Sequence, residues 1–157
     1  MNSKIAEMLK SEQIELPIMG SPKYQYVTST HSGLTHYFSG KTAQVNGVIE
    51  TQGILGSDLS VEQGIESARI CAINLLAQIE KDLGLENVNQ ILKVTGFVAS
   101  SNTFFAQPTV INAASELFVK ILGDSGKHAR SAIGVAALPG NSPVEIELIL
   151  ESKELGK

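Results

Sequence analysis

Tryptophan is absent from this chain, aromatic residues make up only 5%, and cysteine occurs once, at Cys71. A lone thiol closes no internal disulfide and builds no metal site by itself, so the sequence reads as one made for a reducing compartment, the cytoplasm. Cys71 lies beside an apolar helical stripe and is expected there as a small buried hydrophobe. So few aromatics supply poor stacking platforms for single-stranded nucleic acid. Positive charge is short as well: 12 Lys and Arg stand against 16 Asp and Glu, a net charge of −4. With no basic cluster, there is no electrostatic case for nucleic acid or an anionic membrane as a partner. The opening stretch MNSKIAEMLKSEQIEL is amphipathic and broken by charge, and is expected to be neither a signal peptide nor a membrane span.

The signatures of several chemistries are also missing. Gly40, Gly47, Gly53 and Gly56 form neither a GxGxxG turn nor a P-loop, so nucleotide binding has no support. His31, His36 and His128 lack the spacing of a metal set, and no second cysteine or HExxH helix assists them, so no metal is expected. No GxSxG elbow is present.

What is present is an ordinary globular composition, 43% hydrophobic and 18% charged over 157 residues, enough for one domain with a real core. Residues 2–12 are expected as a short helix capped by Asn2 or Ser3, a packing arm over the domain or a neighbouring subunit. Residues 16–23 hold Pro17, Gly20 and Pro22 and form a connector, so that 1–23 is helix and connector, 24–152 the domain, and 153–157 a polar tail. Tyr24–Thr30 is aromatic and β-branched, a strand; His31-Ser32-Gly33 turns it, and Leu34–Ser39 returns as a hairpin ending at Ser39-Gly40. The glycine-rich stretch 41–57 is weakly patterned, with one short strand around Val45, Val48 and Ile49. Ser60, followed by Glu62 and Gln63, caps a long helix with a stripe of Val61, Ile65, Ala68, Ala72, Leu75, Ile79 and Leu83, stopped by Gly84. Ile91–Ala99 is a strand, and a second long helix runs from about Pro108 to Leu122 and stops at Gly123. The order ββ(β)αβαββ places the chain in the α+β class, a mixed sheet with two long helices on one face.

The last stretch, 129–150, carries the candidate chemistry. Two alternating runs flank the turn-forming cluster Pro139-Gly140-Asn141-Ser142, and the spacing predicts a hairpin. Val144, Ile146, Leu148 and Leu150 share one face, with Glu145, Glu147 and Glu151 on the other; Ile133 and Val135 oppose Arg130, Ala132, Gly134 and Ala136. The hairpin is expected to turn its greasy face to the core and to present Arg130, above a floor of small side chains, on the same face as the carboxylates. An arginine so placed grips a carboxylate bidentately, with a purely structural arginine as the alternative. Glu145 and Glu147 read equally as a solvated edge. In a straight hairpin Glu145 falls opposite about Ala136, roughly 20 Å from Arg130. If both serve one site, they come from different subunits or the strand bends.

The segments ARSAIGVAALP and VEIE, with YVTSTHSGLTHYFSG at 26–40 and FVASSNTFFAQPTVINAASELF at 97–118, resemble the Rid family of reactive intermediate deaminases, also called YjgF-type or L-PSP proteins. The resemblance runs from about Tyr24 to Leu150, and the 15 positions from Arg130 to Glu145 match the family's spacing. It implies a chorismate-mutase-like fold, a homotrimer with small-molecule sites in clefts between subunits, and hydrolysis of enamine or imine acids such as 2-aminoacrylate to 2-keto acids and ammonia, without cofactor or metal. By the same resemblance, Arg130 would pair with the substrate carboxylate and Glu145 would position and deprotonate water. Asn112 would line the cleft from the second long helix, and Tyr26, Ser39 and Gly40 would form a wall. Ala132 stands where well-known members carry a cysteine, the loop Ser101–Gln107 is longer, and the helix at 2–12 is additional, features of a divergent branch. Two other activities stand beside the deaminase: a non-catalytic trimer that binds a small carboxylic acid, and a ribonuclease or translation inhibitor, against which the acidic charge balance argues.

Overall fold

Asn2 starts the first helix by accepting the Ile5 amide through its side chain, and α1 runs Ser3–Ser11. Its apolar side, Ile5 and Leu9, is buried against the domain, and Glu12 just beyond it pairs with Arg69 at 3.7 Å and Lys120 at 2.5 Å. This computed structural model describes residues 1–154; of the expected polar tail, 155–157 lie outside the described residues. Strands β1 (Ser29–Ser32) and β2 (Thr35–Thr42) pair antiparallel about Gly33, which takes a φ of 59°. The expected strand from Tyr24 is therefore shorter than its composition implied. Tyr24, Tyr26 and Val27 are 81%, 53% and 62% exposed, and β1 is the sheet edge, so no further strand holds them extended. The expected single strand at 45–49 is instead a small hairpin, β3 (Gln44–Val45) and β4 (Val48–Ile49), because Asn46 and Gly47 both adopt positive φ, as a tight two-residue turn requires.

Ser60 and Gln63 form the reciprocal capping box that opens α2 (Val61–Asp82). Strand β5 (Val88–Ala99) is followed by α3 (Gln107–Leu122), ended by Gly123 at a φ of 64°, then β6 (Ala129–Val135) and β7 (Val144–Ser152). The five-stranded sheet has the order β1-β2-β7-β5-β6, with β5 and β6 parallel and the other pairs antiparallel. The predicted hairpin between β6 and β7 does not form: β5 lies between them. At 12 residues β5 is the longest described strand and sends Val94, Gly96 and Val98 into the core, and it takes an interior position between β7 and β6, where both of its edges are bonded. The connection through Pro139–Asn141 is a 3-10 turn that carries the chain past β5.

Both long helices lie on one face of the sheet. Phe38, Val94, Val98, Ile146, Leu148 and Leu150 point into the core against Ala72, Leu75 and Ile79 of α2 and Ile111, Ala114 and Phe118 of α3. Gly96 permits the close approach of α3, since a Cβ there would sit 2.5 Å from Ile111. Among the described residues the other face has no layer packed on it and exposes Tyr37 and Ile133, at 47% and 45%.

Candidate functional site

Register places the candidate residues in two separate groups. On β7, Glu145 alternates with the buried Val144 and Ile146, so its carboxylate lies on the face away from the helices. On β6, Arg130 pairs with Val94 and shares the helix side with Ala132 and Gly134, while Ile133, opposite Phe97, lies on the open face. The expectation that Arg130 and the carboxylates share one face is thus overturned. It rested on direct pairing of β6 with β7, and the intervening β5 sets their registers independently. Arg130 sits at the level of Val94 and Glu145 at the level of Phe97, two strands apart, about 14 Å between Cα atoms from strand spacing and rise. The sheet stands between the two side chains.

The first group is built by a bulge. Between Phe38, opposite Leu148, and Lys41, opposite Ile146, β2 holds one residue more than β7, and the extra residue falls at Ser39-Gly40. Gly40 lies against the Glu145 side chain so closely that an added Cβ would overlap its carboxylate. The Ser39 hydroxyl donates to the Val27 carbonyl at 2.8 Å and the Ser39 amide to the Thr28 carbonyl at 3.0 Å, which ties the segment containing Tyr26 to the bulge. Burial, and then the charge of Glu147, raise the pKa of Glu145 above the ordinary carboxylate value.

The second group stands at the other end of the sheet. Arg130 Nη1 donates to Ser115 Oγ at 3.1 Å and to Asn112 Oδ1 at 3.4 Å, and Nη2 to the Pro108 carbonyl at 3.4 Å, all on α3. Asn112 and Ser115, one turn apart, face the edge strand together, and Asn112 Nδ2 is anchored to Glu116 at 2.7 Å. Among the described residues no acid forms an ion pair with Arg130. Three of its five N–H groups are engaged among the described residues, which leaves Nε and one Nη2 hydrogen, on the two nitrogens of the lateral edge that matches a carboxylate. Gln107 and Ser100 fill the space above Gly134, where a Cβ would meet both.

Of the six residues singled out from sequence, Tyr26, Ser39, Gly40 and Glu145 fall to one group, and Asn112 and Arg130 to the other. Sequence reading missed Ser115 and His128, joined to each other at 2.9 Å. Two signals were available: Ser115 lies three positions after Asn112 on a helix, and His128 stands two before Arg130, at the entrance to β6. Cys71 is fully buried and its thiol pKa is pushed well up by burial, as a core position implies. No group of three metal-ligating side chains and no helix long and apolar enough to cross a membrane occurs among the described residues.

The family described as "YjgF/chorismate_mutase-like, putative endoribonuclease" matches residues 7–152. Protein TCP17 of Trypanosoma cruzi is 36% identical over 154 residues, 96% of this chain and 95% of that one. The crystal structure of Atu1372 from Agrobacterium tumefaciens, a protein described as of unknown function, superposes with a TM-score of 0.89 at 39% identity, covering 96% of this chain and 93% of that one. The YjgF gene product of E. coli superposes with a TM-score of 0.61 at 25% identity, over 85% of this chain and 93% of its own. The chain belongs to the YjgF/chorismate-mutase-like family, the family of the RidA and L-PSP proteins.

Proposed function

We propose that the chain assembles as a homotrimer in which Arg130 of one subunit and Glu145 of the next flank a small acid, and that the assembly hydrolyses enamine or imine acids to 2-keto acids and ammonia. The observation that carries this reading is the separation of the two groups by the sheet. Within one chain the free edge of Arg130 and the carboxylate of Glu145 cannot touch one ligand of a few atoms. Each lies on a surface open to a neighbour. Tyr37 and Ile133, exposed on the uncovered face, supply apolar area for that contact.

In such a cleft the arginine fork holds the substrate carboxylate and fixes the neighbouring iminium carbon. Water attacks that carbon while Glu145 takes its proton. The same carboxyl then returns the proton to nitrogen, and as the hydroxyl proton of the carbinolamine passes back to the freed carboxylate the carbon–nitrogen bond breaks, the C=O forms, and the 2-keto acid and ammonia leave. A carboxyl whose pKa is raised towards the working pH suits a base that must afterwards act as an acid. The substrate is electrophilic enough to need no cofactor. A net charge of −4 favours a small acid held by one arginine over a polynucleotide.

The test is a coupled assay. A serine dehydratase generates 2-aminoacrylate, and ammonia and pyruvate release are followed with and without the protein. Acceleration that disappears with Arg130→Ala supports the deaminase. A protein that binds pyruvate through Arg130 and accelerates nothing is a carboxylic acid-binding trimer instead.

A further inference from the structure

The Arg130 contacts continue one step beyond α3. Ser115 Oγ, which receives Arg130 Nη1 at 3.1 Å, also lies 2.9 Å from His128 Nε2, and His128 Nδ1 lies 2.6 Å from the Gly126 carbonyl. The direction of each bond follows from chemistry. A carbonyl only accepts, so Nδ1 carries the ring hydrogen; in the neutral ring Nε2 is then an acceptor, and the Ser115 hydroxyl donates to it. With its hydrogen committed to His128, the serine turns its lone pairs toward Arg130. The chain runs Arg130 Nη1–H to Ser115 O–H to His128 Nε2, and His128 is anchored by Nδ1–H to Gly126.

The ring itself is held in place. Phe118 of α3 packs edge-on against it, with centroids 6.0 Å apart and an interplanar angle of 80°. Burial keeps the imidazole below its ordinary pKa, partly offset by the Gly126 hydrogen bond and reinforced by the Arg130 charge, so it is neutral at pH 7. The groups that meet the ring are Ser115 and Phe118 from α3, the Gly126 carbonyl, and Arg130 on β6, two residues further along the chain.

We propose that His128 is a positioning residue for Arg130: through the Ser115 hydroxyl it fixes the inner edge of the guanidinium and leaves the lateral edge aimed at an incoming carboxylate. The proposal rests on the carboxylate-receptor reading of Arg130 and deepens it. An arginine on a long side chain loses much rotamer freedom when it binds; holding it beforehand reduces that cost, and the gain appears in affinity. His128 itself touches no reacting atom.

The experiment compares the wild type with Ser115→Ala, His128→Asn, His128→Gln and Arg130→Ala. Asparagine retains a donor near the Nδ1 position and lacks the distant acceptor; glutamine offers an acceptor near the Nε2 position. Long-range proton–nitrogen spectra at pH 7 are expected to show His128 as the Nδ1–H tautomer, and exchange of the Arg130 Nε–H with solvent is expected to quicken in Ser115→Ala and His128→Asn. Pyruvate, the probe ligand, is expected to bind about tenfold more weakly to those two variants and within about threefold of wild type to His128→Gln, the size of one charge-assisted hydrogen bond lost or kept. Where turnover is measured, KM rises and kcat holds. An Nε2–H tautomer, or unchanged Arg130 exchange in both variants, overturns the proposal. So does wild-type pyruvate affinity in both variants while Arg130→Ala abolishes it. A wild type that binds no pyruvate overturns the carboxylate reading separately, and the ring tautomer and arginine exchange still decide the clamp.

Discussion

At the scale of single residues, Arg130 and Glu145 are expected to fail in different ways. Arg130→Ala removes the receptor, and Arg130→Lys keeps a charge without the planar fork; each is expected to weaken pyruvate binding at least tenfold by calorimetry, since a point charge does not reproduce two parallel N–H bonds. Glu145→Gln is expected to stop turnover and spare binding. The raised pKa of Glu145 adds a stability signature. Above the folded-state pKa the carboxylate is ionised in both states and the fold carries its burial cost; below the ordinary carboxylate pKa it is protonated in both and the cost vanishes. Glu145→Gln should therefore raise Tm at pH 7 and leave it nearly unchanged at about pH 3.5. Glu147→Gln removes the second cause of the shift, so the acid limb of the activity profile should move to lower pH.

At the scale of elements, two glycines separate function from folding. Gly40→Ala pushes a methyl group into the flexible end of Glu145, which swings aside at little structural cost. Activity is expected to fall by an order of magnitude or more while Tm stays nearly constant. Gly96→Ala drives its methyl group into Ile111, branched and locked between β5 and α3. That substitution is expected to cost about 1–3 kcal/mol in denaturant unfolding, the range for overpacked cores. Local sequence made several elements legible. The Ser60 capping box, Pro108 in the first turn of α3, and Gly84 and Gly123 after the two long helices act through backbone groups within a few residues, so their effect does not wait on the rest of the fold. The Ser39-Gly40 bulge left no such trace. A bulge exists only relative to a partner strand, and the partner, β7, lies about a hundred residues on.

At the scale of the assembly, the two-group site makes a prediction that a single-chain site does not. Arg130→Ala and Glu145→Gln proteins are each expected to be inactive, and mixing them with subunit exchange should restore activity. In random mixed trimers about a quarter of the clefts combine an intact arginine from one chain with an intact glutamate from another. No recovery, with exchange verified by mass spectrometry, would place both residues' roles within one chain and end the shared-cleft proposal. Ile133→Lys, which sets a charge on the uncovered sheet face, is expected to give monomers by sedimentation and to lose activity with them.

The sequence by itself determined the α+β class, the two long helices and their ends, the burial of Cys71, and which residues alternate with which along each strand. These are consequences of periods of 3.6 and 2 and of caps that act locally. Tertiary structure alone decided which strands are neighbours. β6 and β7, consecutive and joined by a turn cluster, are parted by β5, because an interior position goes to a long strand that can bond along both edges and bury its core face, and β6 is left at the sheet edge. That choice turned Arg130 and Glu145 to opposite sides of the sheet, and it set Arg130 beside Ser115 and His128. Alternation fixes a residue's face relative to its own strand; only the packed sheet fixes that face relative to the helices.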